Sequence, residues 1–189
     1  MTEWSQKRSV MRRYDSTAQI YNMRYAEEQV VKIEAALEII GSLKMENNGL
    51  VLDIGCGTGL LFNYIADKAE MVVGLDISRK ILAEAKRRSE KFHKVHLVLA
   101  DADYTPFKES VFSHVFAITL IQNMPSPEKT LAEAKRVARK DAVIVVTGLK
   151  KKFALEVFEV LLRKLGLNVI EIIDGDESLK CYVAICTKV

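Results

Sequence analysis

Val51-Leu52-Asp53-Ile54-Gly55-Cys56-Gly57-Thr58-Gly59 is the stretch whose reading decides the fold. Val51, Leu52 and Ile54 suit a strand covered on both faces. Three glycines in alternate positions follow, where backbone can approach a ligand that a Cβ would strike. Thr58 is a possible N-cap for a helix opening near Leu60. Strand, glycine turn and helix N-terminus together make a nucleotide-binding corner. The dinucleotide fingerprint, G-x-G-x-x-G, seats a pyrophosphate. Here the spacing is G-x-G-x-G, with Asp53 just before the first glycine. A carboxylate so placed repels a pyrophosphate and suits an ammonium group. The expected ligand is therefore a nucleoside that carries an amino acid.

Outward from this corner, strands and helices alternate. Residues 71–76 read as a second strand ending in Asp76, about 20 residues past the turn, where a carboxylate can accept from ribose hydroxyls. Its competing reading is a helix cap, a role Ser78 also fits. Residues 78–91 form a helix with a basic, solvated face. Residues 95–100 are a third strand, followed by Asp101-Ala102-Asp103, and residues 111–120 a fourth. Ser126 and Pro127 open a helix running to about residue 140. Strand 141–148, helix 153–165, strand 167–173, a turn at 174–177 and strand 179–187 complete the series. This alternation predicts a mostly parallel α/β sheet of seven strands, and the final turn predicts an antiparallel last strand. Upstream, residues 1–13 carry Lys7, Arg8, Arg12 and Arg13 and read as a solvated arm or an anion-binding one. Residues 14–41 read as helix, with Asp15 or Ser16 as cap and an apolar stripe at Val30, Ile33, Leu37 and Ile40. A turn is expected at Asn47-Asn48-Gly49.

The Asp53-x-Gly55-x-Gly57-x-Gly59 pattern resembles the first motif of class I S-adenosylmethionine-dependent methyltransferases. The Tyr14-Asp-x-x-Ala-x-x-Tyr21 segment resembles the N-terminal cap of small members, and the acid–x–x–Pro–Phe segment at 103–107 is also similar. The resemblance implies a Rossmann-like, doubly wound fold with helices on both faces, residues 42–189 binding the cofactor and residues 1–41 forming an N-terminal arm and cap helices of the same domain. It implies cofactor contacts from Asp53, Gly55, Cys56, Gly57, Gly59, Asp76, Ile77, Asp101, Ala102, Thr119 and Tyr14. Asp53 would orient the loop or the methionine ammonium, Asp76 the ribose, and Asp101 the adenine amino group, with Asp103 competing. Gln122, Asn123 and Tyr21 are the candidates beside the methyl acceptor. Gln122 and Asn123 are not bases, so catalysis would rest on alignment. The Asn-Pro-Pro-Tyr sequence of amino-nitrogen methylators and the nucleophilic cysteine of cytosine-carbon methylators are both absent from the segment after the fourth strand.

Composition sets the bounds. Hydrophobic residues at 49% and charged residues at 28% make 189 residues an ordinary globular chain, excluding disordered and fibrous classes. A net charge of +3 permits an anionic partner without requiring one. The three cysteines lack zinc spacing, and Cys181 and Cys186 fall on opposite faces of a strand, so free thiols in a reducing compartment are expected. No run of residues suits a membrane span, no metal site is evident, and a cytoplasmic protein is expected. His96 and His114 are read as packed strand residues. With no insertion evident to form a deep lid, the expected acceptor leans to RNA or another macromolecule, bound through basic clusters, with an activating partner subunit possible. A small-molecule acceptor such as a quinone is the alternative. A catalytically silent cofactor-binding subunit and a nicotinamide-dependent oxidoreductase are the readings from other classes.

Overall fold

A computed structural model describes residues 2–42, 49–175 and 179–188. Residues 47, 48, 176 and 177 of the two expected turns lie outside them. The helices are α1 (Glu3–Thr17), α2 (Tyr21–Ser42), α3 (Phe62–Ile65), α4 (Arg79–Ser89), α5 (Pro127–Val137) and α6 (Leu155–Lys164). The strands are β1 (Leu50–Ile54), β2 (Met71–Asp76), β3 (Val95–Leu99), β4 (Phe112–Ala117), β5 (Ala138–Leu149), β6 (Leu167–Ile173) and β7 (Cys181–Lys188). They form one sheet in the order β3-β2-β1-β4-β5-β7-β6. Only β7 runs against the others, paired antiparallel to both β5 and β6.

Strand alternation sorts the core into two layers. Leu52 and Ile54 of β1 pack with Val115, Ile144 and the α5 and α6 residues Leu131, Ala134 and Phe158. Val51 points the other way, onto Ile33, Ala36 and Ile40 of α2 and Phe62 of α3. Asp53 follows Val51 by two and takes that second face, where it is buried. The sheet reverses its winding between β1 and β4. In an open α/β sheet this is where ligands bind, outside the carboxyl ends of the strands.

Several local expectations are corrected. Residues 3–13 are helical rather than an arm: α1 starts at Glu3, with Thr2 as its cap, its Oγ1 accepting from the Ser5 amide at 3.2 Å. A 3-10 turn at Ala18–Ile20 separates α1 from α2, so neither Asp15 nor Ser16 caps a helix. Thr58 does not cap α3, which is a single turn beginning at Phe62; its hydroxyl donates to Asn22 Oδ1 at 2.6 Å. The helix expected to reach residue 140 ends at Val137. Ala138 already pairs with Phe112 as β5 begins, and Asp141 bends that strand at φ 60°. His114 is a packed strand residue as expected, buried in β4 with its Nδ1 3.0 Å from Ser113 Oγ.

Candidate active site

A cavity opens at the carboxyl ends of β1, β2 and β4. Gly55 and Gly57 form one wall, Asp76 and Ile77 a second, Asp101 and Ala102 a third, and Thr119 and Asn123 a fourth. The cover comes from α1 and α2, through Val10, Met11, Tyr14 and Tyr21. A second lobe continues past Tyr21, Gly55 and Gly57 to Asp53, Cys56 and Gln29.

Gly57 decides the floor. Its φ of +55° is left-handed, and a Cβ built there meets nothing within 4 Å. Glycine is thus required by the backbone, and the space beside it is open. Gly59, also left-handed, is different: a Cβ there would lie 2.3 Å from the Phe62 ring. Gly59 lines neither lobe and serves the packing of the loop onto α3. Arg88 steadies the same loop, donating from Nε to the Thr58 carbonyl at 2.9 Å.

Two acids, the half-buried Asp76 and the buried Asp53, face the cavity with opposite degrees of satisfaction. Asp76 accepts from the Gly57 amide at 3.1 Å and the Ser78 amide at 2.8 Å. Burial nevertheless raises its pKa, against these amides. Ser78 also caps α4, accepting from the Ile81 amide. The Asp53 carboxyl has no hydrogen-bond partner among the described residues. Burial, with the neighbouring charge of Asp76, pushes its carboxyl up to about 8. Burial also raises the Cys56 thiol beside it.

Asp101 and Asp103 part company. Asp101 lines the cavity, while Asp103 is turned into the protein, where Thr130 donates to its Oδ1 at 2.5 Å. Lys7 of α1 reaches both, 2.6 Å from Asp101 Oδ1 and 2.5 Å from Asp103 Oδ2.

At the end of β4, Thr119 holds φ 59°, a strained place for a β-branched residue. Its amide donates to Thr147 Oγ1 at 2.6 Å and its hydroxyl to Gln29 Oε1 at 2.8 Å. The fully buried Lys32 donates to that hydroxyl at 3.1 Å and to Glu28 at 2.8 Å. Asn123 donates to Tyr14 Oη and the Thr119 carbonyl, and accepts from Arg13 at 2.9 Å. Tyr14, Tyr21 and Tyr25 form a row with ring centroids 5.8 and 5.1 Å apart. Burial raises the Tyr14 and Tyr21 phenols, so both stay protonated at neutral pH.

The structure thus brings Asp53, Gly55, Cys56, Gly57, Asp76, Ile77, Asp101, Ala102, Thr119, Tyr14, Tyr21 and Asn123 together around two adjoining cavities that share Tyr21, Gly55 and Gly57 as walls. Gln122 does not join them. It lines neither lobe, and its buried Oε1 has no hydrogen-bond partner among the described residues. Sequence reasoning missed Lys7, Val10, Met11, Gln29 and Lys32. Lys7, Val10, Met11 and Tyr14 stand at i, i+3, i+4 and i+7, so the helical stripe was there to be read upstream of residue 14.

Residues 52–146 match the family model described as a methyltransferase domain. The chain belongs to the class I S-adenosylmethionine-dependent methyltransferases, and S-adenosylmethionine is its cofactor. A demethylmenaquinone methyltransferase of Tropheryma whipplei is 26% identical over 151 residues, 79% of this chain and 62% of that protein. The chain spans about half to three fifths of the length of the first curated relatives it matches. Magnesium protoporphyrin IX methyltransferase of Synechocystis, solved with its bound product cofactor, has the same fold. The TM-score is 0.81 at 14% identity, over 97% of this chain and 100% of that one. A methyltransferase crystallised with the Haloferax volcanii Trm112 activator superposes at TM-score 0.74 and 16% identity, covering 92% and 96%.

The residues present fit this cofactor. Gly57 leaves the cradle that a Cβ would fill, and Asp53 is a buried acid in want of a cation.

Proposed function

We propose that this methyltransferase acts on a small, largely apolar acceptor carrying its own ionisable or nucleophilic centre. The cover that Tyr14 and Tyr21 place over the Thr119 and Asn123 end of the cavity carries this reading. The cap helices themselves serve as the lid where no separate insertion does, and a buried apolar wall favours a small ligand. A related protein named for demethylmenaquinone points the same way.

When bound, S-adenosylmethionine supplies a methyl group on a positively charged sulfur. Asp76 takes the ribose hydroxyls, Ile77 walls the adenine, and Asp101 with the Ala102 amide takes its edge. Asp53 holds the methionine ammonium and Gly55 and Gly57 give their backbone. Thr119, Tyr21 and Tyr14 align the acceptor; the amide of Asn123, spent on Tyr14, Arg13 and Thr119, fixes their positions. No histidine lines the cavity among the described residues, and both phenols stay protonated. Alignment is then the main source of rate, and the acceptor proton leaves to solvent.

A second reading keeps an RNA acceptor and an activating subunit. The structural neighbour solved with the Trm112 activator favours it. Transfer of labelled methyl from S-adenosylmethionine into an extract of cells lacking this gene separates the two. Label in the lipid-soluble, small-molecule fraction is expected. RNase-sensitive label would overturn the small-molecule proposal.

A further inference from the structure

Lys7 is 5% exposed, on a helix that is otherwise largely solvated. Its ammonium stands 2.6 and 2.7 Å from the two oxygens of Asp101 and 2.5 Å from Asp103. Two carboxylates around one ammonium make a strong, charge-assisted cluster. Burial works against the charge of Lys7, but its bonds to the two acids outweigh burial and hold its pKa above the ordinary lysine value.

Counting acceptor positions gives the cluster a purpose. Asp103 lies outside the cavity lining with its side chain buried, its Oδ1 accepting from Thr130 and its Oδ2 from Lys7. Asp101 Oδ1 accepts from Lys7 and from the Asp103 amide at 3.0 Å, and Oδ2 accepts from Lys7. An ionised carboxylate offers about four such positions. Among the described residues, one is left, on Oδ2 of the acid that lines the cavity.

We propose that Lys7 is a positioning residue of the cofactor site: it fixes Asp101 with one acceptor position free for the adenine amino group, and so ties the seating of α1 to recognition of the base. The same residue contributes to the lid and to the orientation of the acid, so one cannot be lost without the other. Its neighbours in the cavity wall, Val10 and Met11, lie one turn further along α1. The inference rests on the reading of Asp101 as the adenine acceptor.

The test compares two ligands by calorimetry: S-adenosylhomocysteine and its 6-deamino purine counterpart. The wild-type protein is expected to prefer the amino ligand by about tenfold to a hundredfold, the worth of one hydrogen bond to a charged group. In Lys7→Met, and in Lys7→Gln as the second variant should the first fail to fold, the preference is expected to fall below about threefold. Amide hydrogen exchange across Glu3–Thr17 is expected to quicken at least about tenfold as α1 loosens. Equal loss of affinity for both ligands, with the preference intact, would overturn the positioning role. Unchanged exchange would overturn the tie to α1. Asp101→Ala, which removes both acceptor oxygens, separates the two roles. If it abolishes the preference while the Lys7 variants keep it, only the role of Lys7 fails. If Asp101→Ala keeps the preference, the reading of Asp101 fails with it.

Discussion

At the scale of single residues, Asp53 has the most consequential surroundings. Its carboxyl is pushed up to about 8 by burial and by Asp76. The folded chain keeps a proton there that an unfolded aspartate gives up near pH ~4. Between about pH 4 and 8 the native state therefore binds more protons than the unfolded one. Asp53 makes the ligand-free protein less stable as pH rises through that window. Asp53→Asn is expected to flatten this dependence and raise the melting temperature at about pH 8, read by thermal melts across the window. A cationic ligand group reverses the preference, so cofactor binding at neutral pH should release protons. Calorimetric heats in buffers of different ionisation enthalpy would show the release, and its loss in Asp53→Asn. The glycines supply a second contrast. Gly59→Ala adds a clash with Phe62 to left-handed strain and is expected to cost about 2–5 kcal/mol in denaturant unfolding. Gly57→Ala should cost only about 1–2 kcal/mol of strain while weakening cofactor binding more than Gly59→Ala does. The G-x-G-x-G spacing was plain in the sequence, but it does not say which glycine faces space and which faces a ring. Nor could it choose Asp101 over Asp103, because that choice is made by Thr130 and Lys7, far away along the chain.

Among the elements, strands were the most legible. Buried runs such as 143–146 leave little alternative, and β6 begins and ends where its pattern predicts. Helix ends were harder. Val137 passes directly into β5 because residues 138–140 find a strand to pair with, which no local propensity reports. α1 was misread because its exposed face is so polar that the short stripe Lys7, Val10, Met11, Tyr14 looked incidental. The junction of α1 with α4 depends on Ser78, whose hydroxyl caps α4 and donates to Asp15 at 2.5 Å. Ser78→Ala should cost about 1–2 kcal/mol, lowering the melting temperature by about 2–8 °C for a chain of this size. Scanning calorimetry measures it.

For the whole molecule, the alternation of strands and helices gave the parallel sheet, and the final turn gave its antiparallel member. The strand order then places the candidate cofactor contacts at one rim. Loops after β1, β2, β3 and β4, separated by tens of residues, meet because parallel strands deliver all their carboxyl ends to the same side. What the alternation does not specify is the cover. α2 packs its Ile33, Ala36 and Ile40 on the sheet beside Val183 and Ile185 of β7. The first long helix is thereby set against the last strand, and with it Gln29 and Lys32 arrive under Thr119. Such a contact joins parts of the chain too distant for any sequence window to link.

Thr119 carries an implication for anyone breeding this enzyme for heat tolerance. A β-branched residue held at φ 59° stores about 1–3 kcal/mol of backbone strain. Thr119→Gly would relieve it, but would remove a hydroxyl gripped by Gln29 and the fully buried Lys32. Each buried group so stranded costs about 1–3 kcal/mol, more for a charge, so the net change is a loss. Directed evolution under thermal selection alone is therefore expected to keep the threonine, as selection for methyl transfer would. Glycine rising at this position in a heat-selected pool, read by sequencing, would overturn that balance.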